Sequence, residues 1–255
     1  MPLSVRVMWL PKAGNRDDEY EDACWPERSL TTAQSIVRCA VADGATESAF
    51  AGLWARQLVY AYGAGGLDAG NWPHALALEQ VRWQTQVAAK ALPWYAEEKA
   101  RSGAFAALLG VTIGRSIDGA AHTWQAMAVG DCAFFQVRDN ALQHCFPAED
   151  ATFFTNRPLL ISSIPAQNEE LAEHVHHASG ELQSGDLLYL TSDALGQWFL
   201  NTFERGGTPW VDMETMITRI KRRKRSFNSW VHELRRSGQM RNDDVTILRI
   251  AWSEQ

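Results

Sequence analysis

The sequence predicts an α+β protein of layered antiparallel sheets, and three observations lead there. Apolar stretches of strand length and stretches of helical spacing come in blocks rather than in strict alternation, which speaks against a doubly wound parallel sheet. Four short apolar stretches between residues 104 and 145 follow one another with only turn residues between them, the pattern of an antiparallel meander. No internal repeat, low-complexity tract or linker rich in Pro, Gly or Ser interrupts the 255 residues, so one continuous domain over 1–255 is expected.

Taken in order, Leu3–Leu10 alternates enough to be a strand. Residues 11–28 are polar and turn-rich, a loop carrying Asp17, Asp18, Glu19, Glu21 and Asp22. Residues 34–42 form an apolar strand that ends on Asp43-Gly44. Residues 47–62 have helical spacing through Phe50, Leu53, Trp54 and Leu58. Four glycines from Gly63 to Gly70 break the chain as a connector. Trp72 to about Lys99 reads as a long helix, with Pro73 in its first turn and a kink or split at Pro93. The strands Ala104–Ile113, His122–Val129, Ala133–Val137 and Ala141–Cys145 follow, with turns at Gly119 and Asp139-Asn140. Residues 147–180 have no readable pattern. Asp186–Thr191 is a strand, Ala194–Phe203 and Val211–Leu234 are helical, and Val245–Trp252 is a final strand.

Composition limits the function classes. Hydrophobic residues make up 46% and charged residues 21%, ordinary for a globular chain able to bury a sizeable core. The net charge of -6 argues against general nucleic-acid binding. No apolar run approaches the roughly 18 residues that span a bilayer. The opening stretch MPLSVRVMWLPKAG lacks the basic region and long apolar core of a secretory signal. Cys24, Cys39, Cys132 and Cys145 form no zinc spacing, so reduced cysteines in a cytoplasmic protein are expected.

Aspartates at four places share one grammar. Asp43 follows CAVA, Asp131 follows AMAVG, Asp193 follows LLYLTS, and Asp243-Asp244 precede VTILRI. Each marks an end of a buried strand, and Asp22 in the acidic loop is a fifth candidate. Asp and Gly also end strands simply because they make turns. The sharper reading is that carboxylates gathered at one end of a sheet repel one another and are tolerated when hard cations such as Mg2+ or Mn2+ neutralise them.

In order and wording these segments resemble the metal-dependent serine/threonine protein phosphatases of type 2C. "EDA" at 21–23, "VADGATES", "AVGDCAFFQV", "LLYLTSDALGQWF" and "NDDVTILRI" resemble five family motifs spread from about residue 12 to 250, in the wording of a divergent bacterial branch. The resemblance implies a four-layer α-β-β-α sandwich of two antiparallel sheets flanked by helix pairs, 47–62 and 72–99 on one side and 194–203 and 211–234 on the other. It implies hydrolysis of phosphoserine or phosphothreonine by a water activated at a binuclear Mg2+ or Mn2+ centre. Asp43 and the Gly44 carbonyl, Asp193, Asp243 and Asp22 would serve the two ions, Asp22 directly or through water with Glu21 beside it. Asp131 with Asp193 matches a third, weaker site found in many members. Asp244 falls where the family usually has Asn. The chain has no Gly-x-Ser-x-Gly elbow or Walker pattern, in keeping with a mechanism that needs no protein nucleophile.

Three departures stand out. The histidine that serves some members as general acid is missing from the Asp43-Gly44-Ala45-Thr46-Glu47 stretch. Asp17 occupies the position of the phosphate-binding arginine, which leaves Arg16, with Lys12 as runner-up, to bind phosphate beside the catalytic Asp43 and Asp193. Ala194 replaces a glycine. The basic run 221–225, echoed by Arg235-Arg236, is either a solvated helix face or a docking surface for an acidic or phosphorylated partner. His174, His176 and His177 read as surface residues rather than ligands. The expected partner is a phosphorylated protein, with no nucleic acid and no membrane. A cognate Ser/Thr kinase and a von Willebrand factor A-like protein often accompany such branches. Two alternatives stay open: a degenerate module that binds phosphoproteins without cleaving them, and a partner-switching phosphatase with one cognate substrate. Residues 147–180, where relatives often carry a mobile flap, are a candidate seat of substrate choice.

Overall fold

Both faces of the central strands are covered, and this explains their near-continuous apolar runs. The computed structural model describes residues 3–67, 72–116, 119, 121–154, 158–218 and 223–252. In chain order the strands are β1 (Leu3–Leu10), β2 (Ala23–Trp25), β3 (Leu30–Thr32), β4 (Val37–Gly44), β5 (Phe105–Arg115), β6 (His122–Val129), β7 (Ala133–Arg138), β8 (Ala141–Phe146), β9 (Ile161–Ser162), β10 (His176–Leu182), β11 (Leu187–Thr191) and β12 (Val245–Trp252). The helices are α1 (Ala51–Gly63), α2 (Trp72–Ala88), α3 (Trp94–Arg101), α4 (Asp193–Glu204), α5 (Pro209–Thr218) and α6 (Arg223–Arg236). One sheet has the order β3-β1-β12-β11-β7-β8, the other β10-β6-β5-β4-β2 with β9 paired to β5. The pairings are antiparallel throughout.

Side chains alternate across a strand, and here each parity has its own core. On β4, Cys39 and Val41 point between the sheets with Leu109, Trp124, Phe134 and Leu248. Ala40 and Ala42 face the other way and pack under Trp54 and Leu58 of α1 and Trp83 of α2. On β12, Leu248 and Ile250 fill the space between the sheets. Val245 and Ile247 turn outward against Phe199, Met213 and Phe227 of α4, α5 and α6. The layers are therefore helices, sheet, sheet, helices, the α-β-β-α sandwich expected.

The elements differ from expectation where a short-range signal misleads. β2 and β3 are three residues each, too short to show a period, and β2 lies inside the stretch read as loop. Asp43 and Gly44 do not follow β4 but belong to it, paired with Ala107 and Ala106. α1 starts at Ala51 because Phe50, at φ 60, holds the left-handed conformation. The helix expected over 72–99, with its kink or split at Pro93, is split as expected: α2 ends at Ala88 and Pro93 precedes a separate α3. The predicted meander is two hairpins in different sheets, β5-β6 and β7-β8. The chain crosses between sheets at Gly130, φ 86, where an added Cβ would stand 2.6 Å from Ala107 Cβ. The helix expected over 211–234 is α5 and α6, with 219–222 outside the described residues, as are 68–70 of the glycine connector. Residues 147–180 contain β9, most of β10 and three short 3-10 turns.

Candidate active site

One end of the two sheets collects the carboxylates. Asp43 is on the last turn-out of β4, Asp131 on the β6–β7 crossover, Asp193 at the start of α4 just after β11, and Asp243 just before β12. All four line one cavity of 680 Å3, together with Gly44, Thr46, Glu47, Lys99 and Arg241. Asp193 gains from the N-terminus of α4, whose free amide groups favour negative charge. Asp22 lies deeper, 1% exposed, where it accepts a 2.5 Å hydrogen bond from Thr246 Oγ1. Thr246 also meets the Tyr20 hydroxyl. The buried Oδ1 atoms of Asp22 and Asp193 have no hydrogen-bond partner.

Loss of water and mutual repulsion shift these groups. Burial, then the neighbouring Asp244, pushes the Asp22 carboxyl up to about 8, against hydrogen bonds from Thr246 and Ser192 that pull it down. Burial, followed by Asp22, Asp131 and Asp243, pushes Asp43 well above its ordinary value, and Arg241 partly offsets this. Burial raises Asp131 to about 6 although Arg241 opposes it. An added cation in the cleft would oppose both causes of these shifts.

The adjacent Asp243 and Asp244 have different work. Asp243 faces the cavity. Asp244 turns away and accepts the backbone amides of Lys12 (2.8 Å) and Glu21 (2.7 Å), tying both ends of the acidic loop to the start of β12. Gly44 has a packing reason for lacking a side chain: a Cβ there would lie 2.7 Å from the Glu21 carbonyl oxygen. That close approach brings the Asp22 loop against the end of β4.

The structure does not bring Arg16 to the cavity. Its side chain is 75% exposed and paired with Asp18 and Glu19 on a 3-10 turn. Lys12 Nζ instead donates to Thr46 Oγ1 at 2.9 Å and stands 3.4 Å from Glu21 Oε2, beside a neighbouring 490 Å3 cavity. The basic residue that reaches the carboxylates is Arg241, which sequence reasoning missed. Its Nη2 pairs with Asp193 Oδ2, and its Nε is 3.7 Å from Asp243 Oδ2, too far for a hydrogen bond. The signal available was its place two residues before Asp243. Lys221 and Arg222 of the basic run lie outside the described residues. His174, His176 and His177 are exposed, the last two on β10. All four cysteines are free, and burial pushes the Cys24, Cys39 and Cys145 thiols up to about 12, which leaves them unreactive.

No protein-family model matches the chain, and no curated protein sequence does. Solved structures match over its whole length. The serine/threonine phosphatase PstP/Ppp of Mycobacterium tuberculosis superposes with a TM-score of 0.60 at 16% identity, covering 100% of both chains. The fold is that of the PPM-type serine/threonine phosphatases. The catalytic domain of PstP in complex with 2 manganese ions matches with a TM-score of 0.56 at 16% identity, over 99% of this chain and 100% of that one. PppA, described as a key regulatory component of the T6SS in Pseudomonas aeruginosa, superposes with a TM-score of 0.54 at 17% identity, over 98% and 97% of the chains.

The donor set of this PPM fold, all carboxylate and carbonyl oxygen with two orphaned buried Oδ1 atoms, fits hard divalent ions. As the side chains stand, no three His, Cys, Asp or Glu among the described residues are close enough to share one ion. Arg241 sits against two of the candidates. No helix of the described residues is long and apolar enough to cross a membrane.

Proposed function

We propose that the chain is a phosphoprotein phosphatase that hydrolyses phosphoserine and phosphothreonine with two Mg2+ or Mn2+ ions. One observation carries the reading: Asp43, Asp131, Asp193 and Asp243, delivered by both sheets, converge on one cavity with the buried Asp22 behind them. Asp43 and the Gly44 carbonyl, with Asp22, Asp193 and Asp243, would hold the pair, and Asp131 with Asp193 a weaker third ion. Bound there, the ions would lower the pKa of a water toward neutrality and neutralise charge on the phosphoryl oxygens.

The chain's own residues do the rest. The β4–β5 ladder fixes Asp43, so its carboxylate is held in place before substrate arrives. Arg241 and Lys99 are the Arg and Lys side chains lining the cavity, placed to donate charge-assisted hydrogen bonds to a phosphoryl group. Phe105, Pro158 and Leu160 supply apolar wall. No histidine lines the cavity among the described residues, so solvent protonates the leaving alkoxide. A phosphorylated protein is the substrate class. The four free cysteines favour a cytoplasmic setting, and the family resemblance suggests a cognate Ser/Thr kinase and a von Willebrand factor A-like protein as partners.

The pairing of Arg241 with Asp193 favours a second reading, a module that binds phosphoproteins without turnover. Hydrolysis of p-nitrophenyl phosphate and a phosphothreonine peptide, with Mn2+, Mg2+ or EDTA, separates the two. The phosphatase reading expects metal-dependent turnover that falls at least about 100-fold in Asp193→Asn, since even residues behind metal ligands cost about 10- to 100-fold. A folded protein inert under every metal sinks it.

A further inference from the structure

We propose that Arg241 is a built-in counter-cation, which holds Asp193 and Asp243 until divalent ions displace it and then turns to the phosphoryl group. The proposal rests on the metal-dependent reading above. Its starting point is a charge imbalance: five carboxylates crowd one end of the sheets, while Arg241 is the arginine placed among them. The guanidinium pairs with Asp193 through Nη2 and stands near Asp243 through Nε.

The pairing is incomplete on both sides. Arg241 Nε is buried without a hydrogen-bond acceptor, and Asp193 Oδ1 is buried without a donor. A guanidinium meant as a permanent structural partner offers its fork to both carboxylate oxygens. Arg138 does so for Asp186, with Nε and Nη2 at 2.7 Å each, and Arg249 for Glu214, at 2.9 and 2.7 Å. Arg241 instead comes from the turn ahead of β12, in the segment that also supplies Asp243, and its side chain is 28% exposed at the cavity rim. A long side chain anchored at a rim can leave two carboxylates without any backbone movement and still reach an anion in the same cavity.

The consequence is competition. Divalent ions must expel the guanidinium from Asp193 and Asp243, so Arg241 weakens metal binding while it stabilises the metal-free fold. The test compares wild type, Arg241→Met, Arg241→Lys and, as a control for through-space charge, Lys99→Met, which removes a cation of the same cavity that forms no ion pair with the carboxylates. Mn2+ affinity is measured by calorimetry, and Tm is measured in EDTA and in saturating Mn2+.

Arg241→Met is expected to bind Mn2+ about tenfold more tightly, the equivalent of one lost charge-assisted hydrogen bond. Arg241→Lys should fall between it and wild type, and Lys99→Met should change affinity much less. The Tm deficit of Arg241→Met should be large in EDTA and shrink in Mn2+, while a merely structural arginine would leave equal deficits in both. Metal binding that is unchanged or weaker in Arg241→Met overturns the exchange and leaves the phosphatase reading standing. Absence of Mn2+ binding in wild type overturns both. If Arg241→Met does not fold, an unchanged affinity in Arg241→Lys overturns the exchange by itself.

Discussion

Two aspartates flank β11, and they are finished differently. At one end Asp186 is fully buried and saturated: Arg138 Nε and Nη2, Gln136 Nε2 and the Gln183 amide all donate to it within 2.8 Å. Burial works to raise that carboxyl, but the Arg138 fork, the Gln183 amide and Gln136 outweigh it and hold it below its ordinary value. At the other end Asp193 meets Arg241 through one oxygen and leaves the other without a donor. The first end is a closed structural network. The second keeps valence unused, and its neighbours Asp22, Asp43 and Asp131 are pushed upward instead of down. Polarity and burial are alike at the two ends. Completeness of hydrogen bonding separates a residue that holds the fold from one left ready for a ligand.

The same substitution at both ends should break this symmetry most visibly. Asp186→Asn strands the Arg138 guanidinium and is expected to cost about 2–4 kcal/mol, below the top of the range for fully buried pairs because Arg138 reaches solvent. Asp193→Asn in EDTA relieves repulsion while losing one ion pair, and should change stability by less than about 1 kcal/mol. Urea unfolding of both variants checks the pair of values, and equal losses would dissolve the contrast.

A pH series sharpens it. In the metal-free protein folded Asp22 keeps its proton up to about 8 and Asp131 up to about 6, while the unfolded chain releases both near 3.8. Between those values the folded state binds more protons, so stability falls as pH rises. With EDTA present, Tm should drop by several degrees from pH 5 to 8, since each kcal/mol is worth about 2–4 °C in a chain of this size. Asp22→Asn should flatten the upper part of that slope, and a Tm that climbs over the same range would refute the arrangement. The smallest effect is expected at Arg16, exposed and paired only with its own turn. Arg16→Ala should shift stability by less than about 0.5 kcal/mol and leave KM for p-nitrophenyl phosphate unchanged.

The sequence carried the layered fold because all three cores are written in strand parity. β1, β6 and β12 were legible to the residue, and β7, β8 and β11 to within one. The carboxylates were visible because each adjoins a buried strand. What escaped depends on tertiary contact. Nothing local in AMAVGDC tells that Gly130 passes the chain from one sheet to the other. β2 and β3 exist because β4 and β1 offer them an edge. Arg241 sits in an irregular turn, where no period predicts where a long side chain will reach, while Arg16 was favoured only as a neighbour of Asp17, which holds the arginine's place in the family resemblance.

β12 has a place in the order of synthesis as well as in space. It is the strand that joins β1 to β11, and Asp244 at its head ties down the Lys12 and Glu21 amides. A ribosome making this chain releases β1 early and β12 after all the other strands, so the two halves of the first sheet wait unbridged through most of translation. Four of the five candidate aspartate ligands are made before the segment that gathers them. The acidic pocket can assemble only once residues 241–252 have emerged, and a nascent chain stalled before that point carries the carboxylates without the cleft.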